Sequence, residues 1–236
     1  THYRRAIAQD PGSNAARLGL ARQLVASRQL DAATRLLDEG IARSSQPGEL
    51  HFALGLVAVG WVGWGFVGTS WMALAMTAVI GGVYVLGALE LRRFRAATAT
   101  LSEALAHIPS DLSDLGAWLA RLHPSLQHPV RSRIEGQRVA MPGPALTPYL
   151  VGLLVMLGML GTFQGAVFAL EGSANLEAIR AALAAPIKGL GLAFGTSVAG
   201  VAASALLGLM SALSRRERIE VARQLDAQIA TTLRPL

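Results

Sequence analysis

The chain contains no cysteine, which excludes disulfide bonds and thiolate metal centres and leaves the redox state of its compartment open. It is also poor in charge. Asp, Glu, Lys and Arg make up 15% of its 236 residues, against 52% apolar residues and a mean hydropathy of +0.42; soluble domains carry roughly a quarter charged residues. The scarcity is uneven: residues 50–89, 139–170 and 189–214 contain no Asp, Glu, Lys or Arg at all. Such windows are membrane candidates. Proline is absent from 151–170 and 189–213, so the later windows lack the residue that most often kinks a helix.

A helix rises about 1.5 Å per residue and needs roughly 20 apolar residues to cross the hydrocarbon core. The second and third windows therefore hold one span each, whereas the first, with 40 residues, holds two. Gly68, Thr69 and Ser70 divide it, because glycine and short hydroxyl side chains favour a turn. The expectation is an all-α polytopic membrane protein with four transmembrane helices and cytoplasmic helical segments. Its first two spans form a tight hairpin over 51–67 and 71–89, with Trp61 and Trp64 near the outer end of the first arm, where amphipathic rings favour the interface.

Of the 21 basic residues, seven precede the hairpin, seven lie between Arg92 and Arg138, and five follow Ser214; only Arg180 and Lys188 fall elsewhere. The positive-inside rule then places both termini and the central segment in the cytoplasm. Topology accounts for the formal net charge of +6, and no nucleic-acid partner is implied, since the arginines are dispersed without interleaved aromatic stacking residues. The first residues are polar and charged and do not resemble a cleavable signal peptide.

Five segments follow: 1–47, cytoplasmic and helical; 51–90, the hairpin; 91–147, a cytoplasmic helical segment and linker; 148–214, the last two spans and a short outer loop; and 215–236, a cytoplasmic helix. In the first, the stretch from His2-Tyr3-Arg4-Arg5 to Gln9-Asp10-Pro11 resembles the end of a tetratricopeptide repeat. Leu18-Gly19 followed by Leu30-Asp31-Ala32-Ala33 resembles the next one. An ordinary helical hairpin is the alternative, and a fragment this short needs support from further residues or a partner, because such repeats stabilise one another by stacking. In the central segment, Pro124, Pro129, Pro142, Pro144 and Pro148 predict a linker. His107, His123 and His128 lack metal-ligand spacing and are expected at the surface. Residues 175–183 predict a short amphipathic helix in the outer loop, lying on the membrane surface or capping an assembly.

The last two spans differ from the hairpin in carrying small and hydroxyl residues at helical spacing. Gly191, Gly195, Ala199 and Ala203 recur every four residues, and Thr196, Gly200, Ser204 and Gly208 do so on the adjacent face. Small residues let helix backbones approach where no hydrophobic effect drives helices together. The hydroxyls have a plainer use, bonding back to the carbonyl four residues earlier. In the third span Thr162 and Gln164 lie among Gly158, Gly161 and Gly165, and an intramembrane polar residue generally faces a partner or a watery path.

The run from Gly158 to Gly165 resembles the Gly-Leu-Leu-Gly-Thr-x-x-Gly motif of the MotA/TolQ/ExbB proton channel family. Ala193-Phe194-Gly195-Thr196-Ser197-Val198-Ala199-Gly200 resembles the hydroxyl-bearing motif of its last span, including the version in ZorA-like anti-phage stator subunits. The resemblance covers residues 148 to about 220. It implies a homopentamer in the bacterial inner membrane around two single-span partner helices of the MotB, TolR or ExbD kind. A membrane Asp on the partner carries the proton, while Thr162, Thr196 and Ser197 line its path. Gly158, Gly161, Gly165, Gly191, Gly195, Gly200 and Ser204 pack the helices, and no cofactor or metal is called for.

No Asp or Glu falls inside any predicted span; Glu90 and Glu171 stand at boundaries. A chain moving protons alone needs a group at depth that gains and loses a proton near working pH, so the missing carboxylate predicts a partner. Two features depart from the family: no proline lies within the last two spans, and the central segment of 57 residues lacks the dense charge of a flagellar rotor grip. The expected function is a proton-conducting subunit of a stator or energy-transducing machine. A membrane scaffold that recruits cytoplasmic proteins through its amino-terminal repeats is the alternative. An enzyme is not expected, for no nucleophile with its base, metal cluster or phosphate loop emerges.

Overall fold

In a computed structural model of the protein, residues 2–44, 48–108, 115–137, 139–171 and 186–233 are described, the side-chain surroundings of 165–193, 232 and 233 excepted. Among them all regular structure is helical: α1 (His2–Gln9), α2 (Asn14–Ala26), α3 (Leu30–Arg43), α4 (Gly48–Phe66), α5 (Trp71–Ala106), α6 (Leu115–Ala120), α7 (Pro124–Ile134), α8 (Thr147–Glu171) and α9 (Pro186–Gln228), followed by a π-helical turn, Ile229–Leu233. The surface helix expected over 175–183 lies outside the described residues. Four stretches are long and apolar enough to cross a membrane: Gly48–Phe66, Trp71–Ala106, Thr147–Gln164 and Phe194–Thr231. They are consistent with a multi-pass membrane protein.

Local chemistry sets several of the boundaries. Ser13 caps α2 by accepting from the Ala16 N–H, and the α2–α3 turn carries Arg28 at φ 61°, a left-handed conformation rare outside glycine. Gly68, at φ 78°, serves the α4–α5 turn. Pro124 does not break the chain but opens α7, capped by the His123 side chain, and Pro129 is carried inside that helix; proline suits the first helical turn because its missing N–H would have no intrahelical partner there. His107, His123 and His128 are exposed. Past Ser70, α5 is one helix of 36 residues that continues through Arg92 and Arg93. Both arginines are exposed, while Leu91, Ala97 and Leu101 keep the buried stripe going.

The chain forms two compact units, Thr1–Ala88 with Pro148–Met210, and Leu89–Thr147 with Ser211–Leu236. In the first, α2, α3 and the beginning of α4 pack around Ala21, Leu37 and Leu50, flanked by Leu18, Leu36, Ile41, Ala53, Leu54 and Val57. Arg17 is buried in this layer beside Gly40, where an added Cβ would lie 2.5 Å from its Cδ. Tyr84 of α5 fills the notch at Gly55, stacks on Phe52 with ring centroids 5.9 Å apart, and donates its hydroxyl proton to the His51 carbonyl at 3.1 Å.

The second unit is built on Ala97, Leu101, Leu105, Trp118, Leu119, Leu122, Leu126, Val130 and Leu225. Trp118 donates its indole N–H to the Ala104 carbonyl at 3.2 Å. The buried Arg218 guanidinium donates to Thr98 Oγ1 at 2.8 Å and to the Phe94 carbonyl at 3.1 Å, and lies 4.1 Å from the centroid of the Phe94 ring. Glu90 accepts from the Leu146 N–H at 2.8 Å and from Thr147 Oγ1 at 2.6 Å.

Candidate functional site

The candidate site is the crossing of α8 and α9, where glycine removes every side chain that would hold the two backbones apart. A Cβ added to Gly200 would stand 2.6 Å from the Leu154 carbonyl oxygen and 2.7 Å from the Cα of Gly158. One added to Gly158 would stand 3.2 Å from the Cα of Gly200 and from the Thr196 carbonyl oxygen. Contact this close is the use that small-residue spacing has between apolar helices. Farther along the same face Gly208 meets Val151, at 3.9 Å from its added Cβ.

Side-chain hydroxyls gather beside this contact. Thr162 Oγ1 and Ser197 Oγ touch each other, and each lies 3.2 Å from the carbonyl oxygen of Gly158. Three contacts thus compete for two hydroxyl protons, since serine and threonine carry one donor each and a carbonyl only accepts. When both hydroxyls donate to Gly158, none is left for their mutual contact; when one donates to the other, a single proton reaches the carbonyl. Rotation about two C–O bonds exchanges these arrangements. Both side chains are half-buried, and Phe163 and Val198, which follow them in sequence, are more than half exposed.

The other residues singled out in the sequence divide between different neighbours. Thr196 is buried and packs on Gly161, whose added Cβ would lie 2.6 Å from Thr196 Oγ1. Its neighbour Ser197 is the residue whose hydroxyl touches Thr162. Gly195 faces α4, its added Cβ falling 2.7 Å from Phe66 Cζ. Ser204 is buried. Gly165 and Gly191 lie on α8 and α9, but their surroundings fall outside the described side chains.

Two contributors gave no sequence signal of their own. Leu207 packs on Gly87 of α5, whose added Cβ would come within 2.5 Å of it, and Met76 of α5 approaches Gly161 at 3.1 Å from the added Cβ. Leucine and methionine in an apolar window carry no mark of their partner. No group of His, Asp and Glu suited to a metal ion occurs among the described residues. Serine and threonine neither gain nor lose protons near neutral pH. The crossing can accept, orient and pass on a hydrogen bond, but it cannot hold a charge.

Residues 1–54 match the tetratricopeptide repeat family, and the match runs past α3 into the first turns of α4. No curated protein and no solved structure matches the chain.

Proposed function

We propose that this chain is a proton-conducting channel subunit of a stator or energy-transducing machine driven by the proton motive force. It would act in the bacterial inner membrane, with both termini cytoplasmic, as a homopentamer around two single-span helices of the MotB, TolR or ExbD kind. The observation that carries the reading is the Thr162–Ser197 pair. Two half-buried hydroxyls from two apolar helices share one backbone carbonyl at a glycine crossing. Beside a partner carboxylate, such a pair supplies donors and acceptors along a path while the carboxylate takes and releases the proton. The motifs over 158–165 and 193–200 support the same reading.

Proton flux into membrane vesicles holding the chain and its partner provides the test. The double variant Thr162→Val with Ser197→Ala keeps approximate side-chain volume and removes both hydroxyls, and flux is expected to fall. Undiminished flux removes the pair from the mechanism.

A second reading is favoured by the match over 1–54: a membrane scaffold whose amino-terminal helices recruit cytoplasmic proteins. Repeats of this kind bind through stacked helical surfaces. Cryo-EM of the complex purified from native membranes separates the two. A monomer or dimer without a central partner helix supports the scaffold, and a pentameric ring around foreign helices supports the channel.

A further inference from the structure

The α2–α3 hairpin lies along almost the whole of α4. At one end Leu37 packs with Leu50; at the other the Arg28 guanidinium sits 4.6 Å from the centroid of the Trp64 ring. Leu50 and Trp64 are 14 residues apart, which is about 21 Å along a helix axis. Between these ends a cavity of about 360 Å³ separates Asp31, Thr34 and Arg35 of α3 from Ala58 and Trp61 of α4 and Ala199 of α9.

That arrangement conflicts with α4 crossing a bilayer. The 19 residues of α4 reach about 28 Å, against a hydrocarbon core of about 30 Å. An inserted α4 thus has no length to spare, and Leu50 and Trp64 belong near opposite faces. A hairpin docked along it would sit at bilayer depth, with Arg22, Arg28, Asp31, Arg35, Asp38 and Glu39 all exposed. Charges facing lipid are strongly disfavoured. A hairpin confined to the cytoplasm, equally, cannot reach Trp64 across the membrane.

We propose that docking of the α2–α3 hairpin and passage of α4 through the bilayer are mutually exclusive, the hairpin being a cover that α4 sheds on insertion. The docked hairpin buries Leu50 and partly covers Ala53, Leu54 and Val57 on the same face of α4, a face that hydrocarbon covers in the inserted state. Its packing follows repeat logic: helices that cannot bury an apolar face alone do so against the next helix in the stack, and the family match runs into α4 as far as residue 54. The amino-terminal segment thereby shields an apolar helix until a membrane replaces it. Ion conduction plays no part in this inference.

The absence of cysteine makes introduced thiols the only ones. In the full chain, Thr34→Cys with Ala58→Cys places two thiols across the cavity for a short bismaleimide. Gly63→Cys with Thr77→Cys, where an added Cβ at 63 lies 3.4 Å from Thr77 Cγ2, reports the α4–α5 contact as a reference. The protein is made by cell-free translation with phospholipid vesicles present, or without them and captured in mild detergent. Single variants Ala32→Cys and Ser70→Cys are labelled with a membrane-impermeant maleimide.

Relative to the reference pair, cross-linking across the cavity is expected to fall at least about tenfold when vesicles are present, the scale of a population shift between exclusive states. Positions 32 and 70 are then expected to label from opposite sides. Equal cross-linking with and without vesicles overturns the proposal, as does a cross-link absent in both. So does a retained cross-link with positions 32 and 70 on the same side, which would mean that α4 does not cross.

Discussion

Gly200→Ala drives a methyl group into the backbone of α8. The added carbon would meet the Leu154 carbonyl oxygen at 2.6 Å, the Cα of Gly158 at 2.7 Å and its nitrogen at 3.0 Å. Carbon atoms in good contact stand about 3.5–4.0 Å apart. All three obstacles are backbone atoms, so no rotamer change relieves them, and α8 and α9 have to separate by about 1 Å. Overpacking costs about 1–3 kcal/mol, and the lack of any side chain to yield places this case near the upper figure. Alanine recovers about 1 kcal/mol of helix propensity, leaving a net loss of about 2 kcal/mol. Gly152→Ala is the internal standard: nothing lies within 4 Å of its added Cβ, so it keeps the propensity gain at no steric cost. The two variants therefore differ by about 3 kcal/mol, more than 100-fold in the unfolding equilibrium at about 1.4 kcal/mol per decade. The separation also carries Ser197, now 3.2 Å from the Gly158 carbonyl, beyond hydrogen-bonding range, whereas Thr162, on the same helix as Gly158, keeps its own contact. Reversible unfolding in mixed micelles, titrated with a denaturing detergent and followed by tryptophan fluorescence, measures the difference. Coincident transitions for the two variants would refute the close crossing of α8 and α9.

Arg218→Lys keeps the charge but loses the fork that reaches Thr98 Oγ1 and the Phe94 carbonyl together; a loss of about 2 kcal/mol is expected in the same titration, since the site is buried and hydrogen bonds to a charged group contribute about 1.5–3 kcal/mol each. Asp226→Asn, by contrast, removes an exposed ion pair with Arg133 whose contacts are 2.8 and 2.9 Å, and is expected to cost less than about 1 kcal/mol. Glu90→Ala deprives the Leu146 N–H and Thr147 Oγ1 at the start of α8 of their acceptor. Lost capping costs about 1 kcal/mol, so the Leu146 amide is expected to exchange with deuterium about fivefold faster.

The four apolar helices were legible because a charge-free window is a direct record of what the bilayer, or a covering helix, requires. Their extents were less so. The charge-free window ends at Leu89, but a helix carries charge on its outer face without stopping, and α5 runs on to Ala106. Pro124 looked like a break, yet proline is also a helix opener. The partners of α4 were not legible at all. A helix that is apolar around its whole circumference has no preferred face, so nothing in its spacing distinguished α2 and α3 from lipid. The stripes on α9 were visible as repeats of four, but repeats on adjacent faces look alike in sequence. Only the packing sends Gly200 and Thr196 to α8 and Gly195 to α4. Neighbouring residues project about 100° apart on a helix, and here Thr196 packs on Gly161 while the Ser197 hydroxyl reaches Thr162.

The proton count at the crossing yields the sharpest consequence for the proposed channel. Thr162 and Ser197 have two hydroxyl protons for three contacts, so they can pass a hydrogen bond from one oxygen to the next by rotation. Net transport needs more: at some depth a group must become charged and then discharged. Residues 139–170 and 189–214 contain no Asp, Glu, Lys, Arg or His. The imidazole of His51 stands in the first turn of α4, at the end of its helix. The chain reconstituted alone into liposomes under an imposed pH gradient is therefore expected to leak protons no faster than protein-free liposomes. Adding a single-span partner bearing a membrane Asp is expected to raise the flux, and changing that Asp to Asn to abolish the increase. If the chain alone conducts as fast as the complex, the charge-holding group lies within this sequence, and the division of labour proposed for it fails.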